Sequence, residues 1–190
     1  MCGILFVDIK GGSEVKSIIK RYNKQSHRGK EGFGYIALKG NVIDEVVRST
    51  TEKEALEALR GENARTILFH HRYPTSTPNY AEATHPIHIS DARFKFDYYV
   101  VHNGVITNCD ELYEKMKSEG FVFQTEMKEY NAVEFANYKG VDEKVGRVYE
   151  FDPEIKYNDS EVLAIELAKY FEGHKNTIDT RGAVTFIAFK

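Results

Sequence analysis

The sequence predicts a layered arrangement of helices on mainly antiparallel sheets, and three observations carry that expectation. Strand-length apolar runs fill the first half of the chain and return at its last residues. Two of those runs flank Gly40-Asn41, a turn pair suited to a hairpin. Stretches with helical apolar spacing fall between the strand groups, where they can cover the outer faces of the sheets. Neither an internal repeat nor a low-complexity tract interrupts the pattern.

The elements follow in order. Cys2 to Val7 is an apolar run that reads as a buried strand. Val15, Ile18, Ile19 and Tyr22 predict a helix over 13–23. Residues 34–39 and 42–47 form the hairpin strands, and a shorter helix is expected over 52–59. Strands over 66–70 and 96–102 each end in histidine, and the Pro-, Thr-, Ser- and Asn-rich stretch 72–93 between them reads as loop. Leu112 and Met116 share one face of a helix over 110–118, with Gly120 as its stop. The stretch 121–157 mixes aromatic and charged residues without a period, so no element is assigned there. Asn158-Asp159-Ser160-Glu161 reads as a capping box, Asn158 capping and Glu161 reaching back, before a helix through 171. Residues 182–189 form the last strand.

At 190 residues the chain suits one domain, spanning 1–190, with a substantial core. Its 42% hydrophobic and 29% charged content is ordinary for a soluble globular protein. A formal charge of -3 leaves no Lys/Arg excess for neutralising phosphates, which argues against nucleic-acid binding. No apolar stretch approaches the roughly 20 residues that cross a bilayer, and the N-terminus lacks a signal peptide's basic region. Cys2 and Cys109 give no disulfide framework. The expectation is a soluble cytoplasmic chain with no nucleic-acid or membrane partner.

Several residues could carry chemistry. His70, His71, His85, His88 and His102 crowd one third of the chain, and His85-Pro86-Ile87-His88 has a spacing that could bind metal. Zinc sites usually add Cys or carboxylate partners at short spacing, and Pro86 disfavours a helical pair, so structural histidines at strand ends are expected and no metal or cofactor. His102-Asn103-Gly104 at a strand end reads either as a turn or as two N–H donors, from the Asn103 amide and the Gly104 backbone, that form an oxyanion hole. Arg28-Gly29 with Gly32 and Gly34 makes a Gly-rich turn without the Gly-Lys-Ser/Thr ending of a phosphate loop. Arg72 offers a planar fork to a carboxylate. Asp159, at a helix N-terminus, is by default an acid that compensates the dipole. A nucleophilic cysteine needs a base, and no Cys–His spacing is evident. Once Met1 is removed, the free α-amino group of Cys2, with a reference pKa of about 8, can serve its own thiol as base. That solution works only at a chain terminus.

Cys2-Gly3-Ile4, His27-Arg28-Gly29-Lys30-Glu31-Gly32-Phe33-Gly34, His70-His71-Arg72-Tyr73-Pro74-Thr75, His102-Asn103-Gly104-Val105-Ile106-Thr107-Asn108 and Asp159-Ser160-Glu161-Val162 occur in that order. Together they resemble the class II glutamine amidotransferase domain, a member of the N-terminal-nucleophile (Ntn) hydrolases. The wording lies closest to the amidophosphoribosyltransferase branch, and the fourth motif also suits the hexosamine-synthase branch. The resemblance implies an α+β fold, a four-layer αββα sandwich of mainly antiparallel sheets, in agreement with the reading above. It implies that Cys2 attacks the glutamine side-chain amide, forming a thioester and releasing ammonia, with Asn103 and Gly104 as oxyanion hole and Arg28 supporting the terminus. It further implies that Arg72 binds the substrate α-carboxylate and Asp159 its α-ammonium, with Thr75 and His85 near the pocket. A zwitterionic amino acid needs one fixed cation and one fixed anion, and this set holds both.

Three departures from that pattern shape the expectation. The chain stops at the strand ending at Phe189, where the family's domain usually continues, so a C-terminally trimmed sandwich is expected. The stretch 121–157 exceeds the family's usual connection and reads as an insertion suited to contacting a partner. No synthase or phosphoribosyltransferase domain lies in these residues, so ammonia is expected to pass to a separate acceptor subunit. Two other readings stand beside this one. A related N-terminal-cysteine amide hydrolase with a different substrate would have no use for both Arg72 and Asp159. A catalytically silent interaction module would retain Met1.

Overall fold

Side chains alternate between the two faces of a strand, and here that alternation sorts the apolar residues into three packed groups. The computed structural model describes residues 2–8, 15–61, 66–74, 77, 79–126, 139–142, 147–150 and 157–190. Nine strands are described: β1 (Gly3–Asp8), β2 (Phe33–Lys39), β3 (Val42–Ser49), β4 (Thr66–His71), β5 (Ile87–Ile89), β6 (Tyr98–Ile106), β7 (Lys139–Asp142), β8 (Arg147–Glu150) and β9 (Gly182–Phe189). Four α-helices accompany them: α1 (Val15–Gln25), α2 (Glu52–Gly61), α3 (Cys109–Ser118) and α4 (Asp159–Phe171). The strands form antiparallel sheets in the orders β1-β4-β2-β3, β5-β6-β9 and β7-β8.

Along β4, Ile67 and Phe69 point to one side and meet Ile18 and Tyr22 of α1 and Ala55 and Leu59 of α2. Leu68, one residue out of phase, packs instead with Ile36, Leu38 and Val101, with Tyr99 and Ile187 beside them. That second group lies between the four-stranded and three-stranded sheets. Tyr98, Val100 and Ile106 of β6 take the opposite phase to Val101 and pack under Leu112 and Met116 of α3 and Val162 and Leu163 of α4. The layers therefore run helices, sheet, sheet, helices. This is the αββα sandwich expected from the sequence.

The boundaries differ from expectation in three places. The stretch 72–93 is not all loop, because β5 pairs Ile87 with Val100 and Ile89 with Tyr98. Three residues next to Pro86 are too few to show a period. The strand predicted to end at His102 runs on to Ile106, because β9 pairs with it throughout, as far as Ile106 opposite Gly182. Within 121–157 the described residues include the β7-β8 pair. The predicted helix over 13–23 is seen from Val15, and Ser13 and Glu14 lie outside the described residues.

Gly34 is packed closely on backbone from two sides. It pairs with Arg48 on one side and His70 on the other. A Cβ at this position would lie 1.9 Å from the His85 carbonyl oxygen and 2.7 Å from that of Val47. Both neighbours are backbone and cannot swing away. Gly34→Ala is expected to cost about 3 kcal/mol, read as a fall in Tm of about 6–12 °C. A Tm within 2 °C of wild type would show that the backbone at His85 can give way to a side chain at position 34.

Candidate active site

Three chain segments meet where β1 begins and β4 ends. Gly3 is opposite His71, so Cys2 sits beside the residues that follow β4. The Tyr73 backbone N–H donates to Cys2 Sγ at 3.3 Å, and the sulfur lies 3.6 Å from the Tyr73 carbonyl oxygen. Arg28 Nε donates to the Cys2 carbonyl at 3.2 Å. The Cys2 backbone nitrogen donates to Asn103 Oδ1 of β6, also at 3.2 Å. Nitrogen, carbonyl and sulfur of one residue are thus each held by a different part of the fold. Cys2, Arg72, His85, Gly104 and Asp159 all line a small cleft at this point.

Burial pushes the Cys2 thiol pKa up, against the Tyr73 hydrogen bond and the Arg72 charge, and Asp159 adds to the rise. The resting sulfur is therefore a thiol that needs a base. The neighbouring histidines do not serve it. His70 Nε2 bonds the His102 carbonyl at 3.2 Å, and His102 Nδ1 bonds Ser160 Oγ at 2.9 Å. The remaining ring nitrogens of His70, His71, His85 and His102 have no hydrogen-bond partner. The nitrogen held nearest to the sulfur by covalent geometry is that of Cys2 itself.

The phase of β6 sets the direction of Gly104. Thr107 N donates to the Arg181 carbonyl at 2.8 Å, which assigns the odd-numbered residues of β6 to the ladder with β9. His102, Gly104 and Ile106 turn their backbone groups to the other edge. Two of these are seen in use there: the His102 carbonyl accepts from His70, and Ile106 N donates to Asp159 Oδ2 at 3.0 Å. The Gly104 N–H lies between them and faces the same edge. A side chain at 104 has no room, since its Cβ would fall 1.8 Å from the Ala183 carbonyl oxygen. His102-Asn103-Gly104 is thus not a turn at a strand end, as one sequence reading had it, but the middle of a strand with one edge open.

Arg72 is 2% exposed, and its Nη2 donates to the Thr77 carbonyl at 2.5 Å and Thr77 Oγ1 at 2.6 Å. Asp159 opens α4, where Asn158 caps the helix by accepting from Ser160 N at 2.9 Å. The capping box is only half formed. Glu161 does not reach back to Asn158; its carboxylate accepts from Gln124 N at 2.7 Å and Thr125 N at 2.8 Å. His85 packs its ring against His70 with centroids 4.1 Å apart, whereas His88 stacks on Tyr99 and bonds Asp97. The two histidines of the suggested metal spacing therefore diverge. Among the described residues, no group of three or more His, Cys, Asp or Glu could hold a metal ion. Thr75 lies outside the described residues.

Sequence reasoning missed Tyr73, which acts through its backbone and so carries no signal in residue type. It also missed Thr77, and Ser160 as the partner of His102. Only the adjacency of Ser160 to Asp159 could have pointed to it.

No family model matches the chain. Glutamine–fructose-6-phosphate aminotransferase (isomerizing) of Aquifex aeolicus (strain VF5) is 28% identical over 128 residues, covering 66% of this chain and 21% of that enzyme. Among solved structures, glutamine phosphoribosylpyrophosphate (PRPP) amidotransferase from B. subtilis, complexed with ADP and GMP, matches with a TM-score of 0.55 at 17% identity, covering 99% of this chain and 35% of the other. An allosteric regulatory enzyme of purine biosynthesis matches with a TM-score of 0.53 at 18% identity, covering 98% and 35%. The chain spans about a fifth of the curated relative's length and about a third of each solved chain. Among the described residues no helix is long and apolar enough to cross a membrane. The fold is that of these solved amidotransferase structures, and the sequence is similar to that of the glutamine–fructose-6-phosphate aminotransferase, in agreement with the ordered motif set.

Proposed function

We propose that this chain hydrolyses the side-chain amide of glutamine through Cys2 and supplies the ammonia to a separate acceptor enzyme. One observation carries the reading most strongly. The Cys2 nitrogen is fixed on Asn103 Oδ1, the sulfur on Tyr73 N–H, and no nitrogen of the four neighbouring histidines bonds that sulfur. With Met1 removed, the fixed nitrogen is the α-amine. It takes the thiol proton as Sγ attacks the amide carbon, forming an S–C bond and placing a negative charge on the amide oxygen. Asn103 Oδ1 is occupied by the Cys2 nitrogen, so its Nδ2 hydrogens are directed elsewhere. They and the Gly104 N–H are donors suited to that oxyanion. Collapse breaks the C–N bond, and the α-ammonium returns its proton to the departing nitrogen, which leaves as ammonia. Water then opens the thioester to glutamate.

Arg72 and Asp159 line the same cleft with opposite charges and suit the α-carboxylate and α-ammonium of the substrate. Arg28 holds the Cys2 carbonyl and so the rotation of the terminus. His85 lines the same cleft, and Thr75, outside the described residues, is proposed as a further substrate contact by the resemblance alone. The acceptor is a synthase subunit, for which 121–157 offers a contact segment as an insertion.

Intact-mass measurement is expected to show a chain shortened by Met1, and the purified protein to release glutamate from glutamine far faster than it cleaves simple amides. Full-length mass with no glutamate release would overturn the reading in favour of a silent interaction module. Equal turnover of simple amides would point to a hydrolase with another substrate.

A further inference from the structure

We propose that Thr125 is a positioning residue that ties the two walls of the cleft together, so that the start of the 121–157 segment sets the affinity for glutamine. The proposal rests on the function proposed above. One wall is the chain after β4, in which Thr77 holds Arg72. The other is the start of α4, which carries Asp159. Arg72 is held within its own wall by Thr77, and Asp159 accepts from Ile106 N of β6, so neither of these contacts joins the two walls directly to each other.

Thr125 joins them. It is 1% exposed, and three of its polar groups are engaged. Its carbonyl accepts from Tyr80 Oη at 2.6 Å, on the Arg72 side. Its Oγ1 accepts from Asn158 N at 2.9 Å, and its N–H donates to Glu161 Oε2 at 2.8 Å, on the Asp159 side. Asn158 strengthens the tie by donating from Nδ2 to the Ala83 carbonyl at 3.0 Å. Every partner lies within three residues of Thr77, Ala83 or Asp159. Glu161 is fully buried, a costly place for a carboxylate that the chemistry does not use, and its two oxygens are spent on Gln124 and Thr125. The buried carboxylate has a purpose if the register between the walls matters to a ligand held by both.

The substrate groups that Arg72 and Asp159 would hold keep their charges throughout the reaction. Misplacing the walls should therefore weaken binding of ground state and transition state alike, and raise KM rather than lower kcat. Thr125→Val keeps the shape and removes Oγ1; Thr125→Ser keeps Oγ1. In wild type and both variants we would measure KM and kcat for glutamine, and the rate at which iodoacetamide alkylates Cys2. The expected result is a KM raised about 5- to 10-fold in Thr125→Val, with kcat and alkylation within about twofold of wild type, and recovery to within about twofold of the wild-type KM in Thr125→Ser. Unchanged KM in Thr125→Val overturns the proposal, and so does a parallel loss of kcat and alkylation, which marks a merely structural role. Tyr80→Phe removes the tie from the opposite wall, should raise KM in the same sense, and decides the matter if Thr125→Val does not fold. A wild-type chain that does not hydrolyse glutamine refutes the proposed function alone. Amide exchange then still tests the tie, which requires faster exchange at both Thr84 and Ser160 in Thr125→Val and is refuted if either amide stays as protected as in wild type.

Discussion

Cys2→Ala protein is expected to fold as wild type, to bind glutamine, and to lose glutamine turnover by at least about a thousandfold. The substitution removes a single sulfur atom from a half-buried residue. Its cost in the fold is the Tyr73 N–H left without its acceptor, on the order of 1 kcal/mol. Arg72 and Asp159 are untouched, so calorimetric binding of glutamine should survive. Turnover should not, because among the described residues no other nucleophile stands ready in the cleft. Ser160 Oγ is tied to His102 Nδ1. Cys109 begins α3, its thiol pKa raised by burial, and it is not among the residues that line the cleft with Cys2. Cys109→Ala should therefore keep full activity. Alanine at the second position is also small enough for Met1 to be removed, so the variant isolates the thiol from the processing step. Glutamate release by Cys2→Ala at a tenth of the wild-type rate or more would remove Cys2 from the reaction.

The layers were legible in the sequence because each depends on a local period. Val15, Ile18, Ile19 and Tyr22 mark a helix, Gly40-Asn41 marks a hairpin, and the apolar run at 66–70 marks a strand. β5 escaped notice because three residues cannot display a period. The end of β6 escaped for a different reason. A strand continues as long as it has a partner, and the partner of Asn103 to Ile106 lies some eighty residues later in β9. The same long-range logic separates the parts of the site that could be read from those that could not. Cys2, Arg72, Asn103 and Asp159 stand out by residue type and position. Tyr73 contributes only its backbone, and Thr125 sits in a stretch with no pattern of its own, so neither is visible until the chain is folded. Glu161 was misread because a carboxylate three residues after an N-cap usually closes a capping box. Here the backbone N–H groups of Gln124 and Thr125 compete for it and win.

The buried histidines lead to a further large effect, the loss of stability in mild acid. His70, His71, His85 and His102 are each at most 2% exposed. Burial lowers the pKa of His70 to about 3 and of His71 to about 4, with the nearby positive charges adding to the drop. His85 is driven well below its ordinary range and His102 is lowered, again chiefly by burial, with Asp159 opposing the drop at His102. In the unfolded chain each returns to about 6.5. The native state therefore binds fewer protons than the unfolded state below that value, and stability must fall as pH falls. Stability is whole above about pH 6.5, and each fully depressed histidine then removes about 1.4 kcal/mol per pH unit. Glu161 works in the opposite sense, because burial raises its carboxyl pKa. The lowered carboxylates Glu54, Asp91, Glu172 and Asp179 add to the loss only as the pH falls through the ordinary carboxylate range and below it. Two to three protons net should thus be taken up on unfolding between pH 4.5 and 6.5, enough to remove several kcal/mol from a typical total of about 5–15. Urea midpoints measured across that window should fall steeply. His71→Phe should reduce the slope by about one proton and cost little at pH 7, since neither His71 nitrogen has a partner and its ring stacks on Tyr22 with centroids 4.1 Å apart. Midpoints unchanged from pH 6.5 to 4.5 would mean that these histidines are not held neutral by the fold.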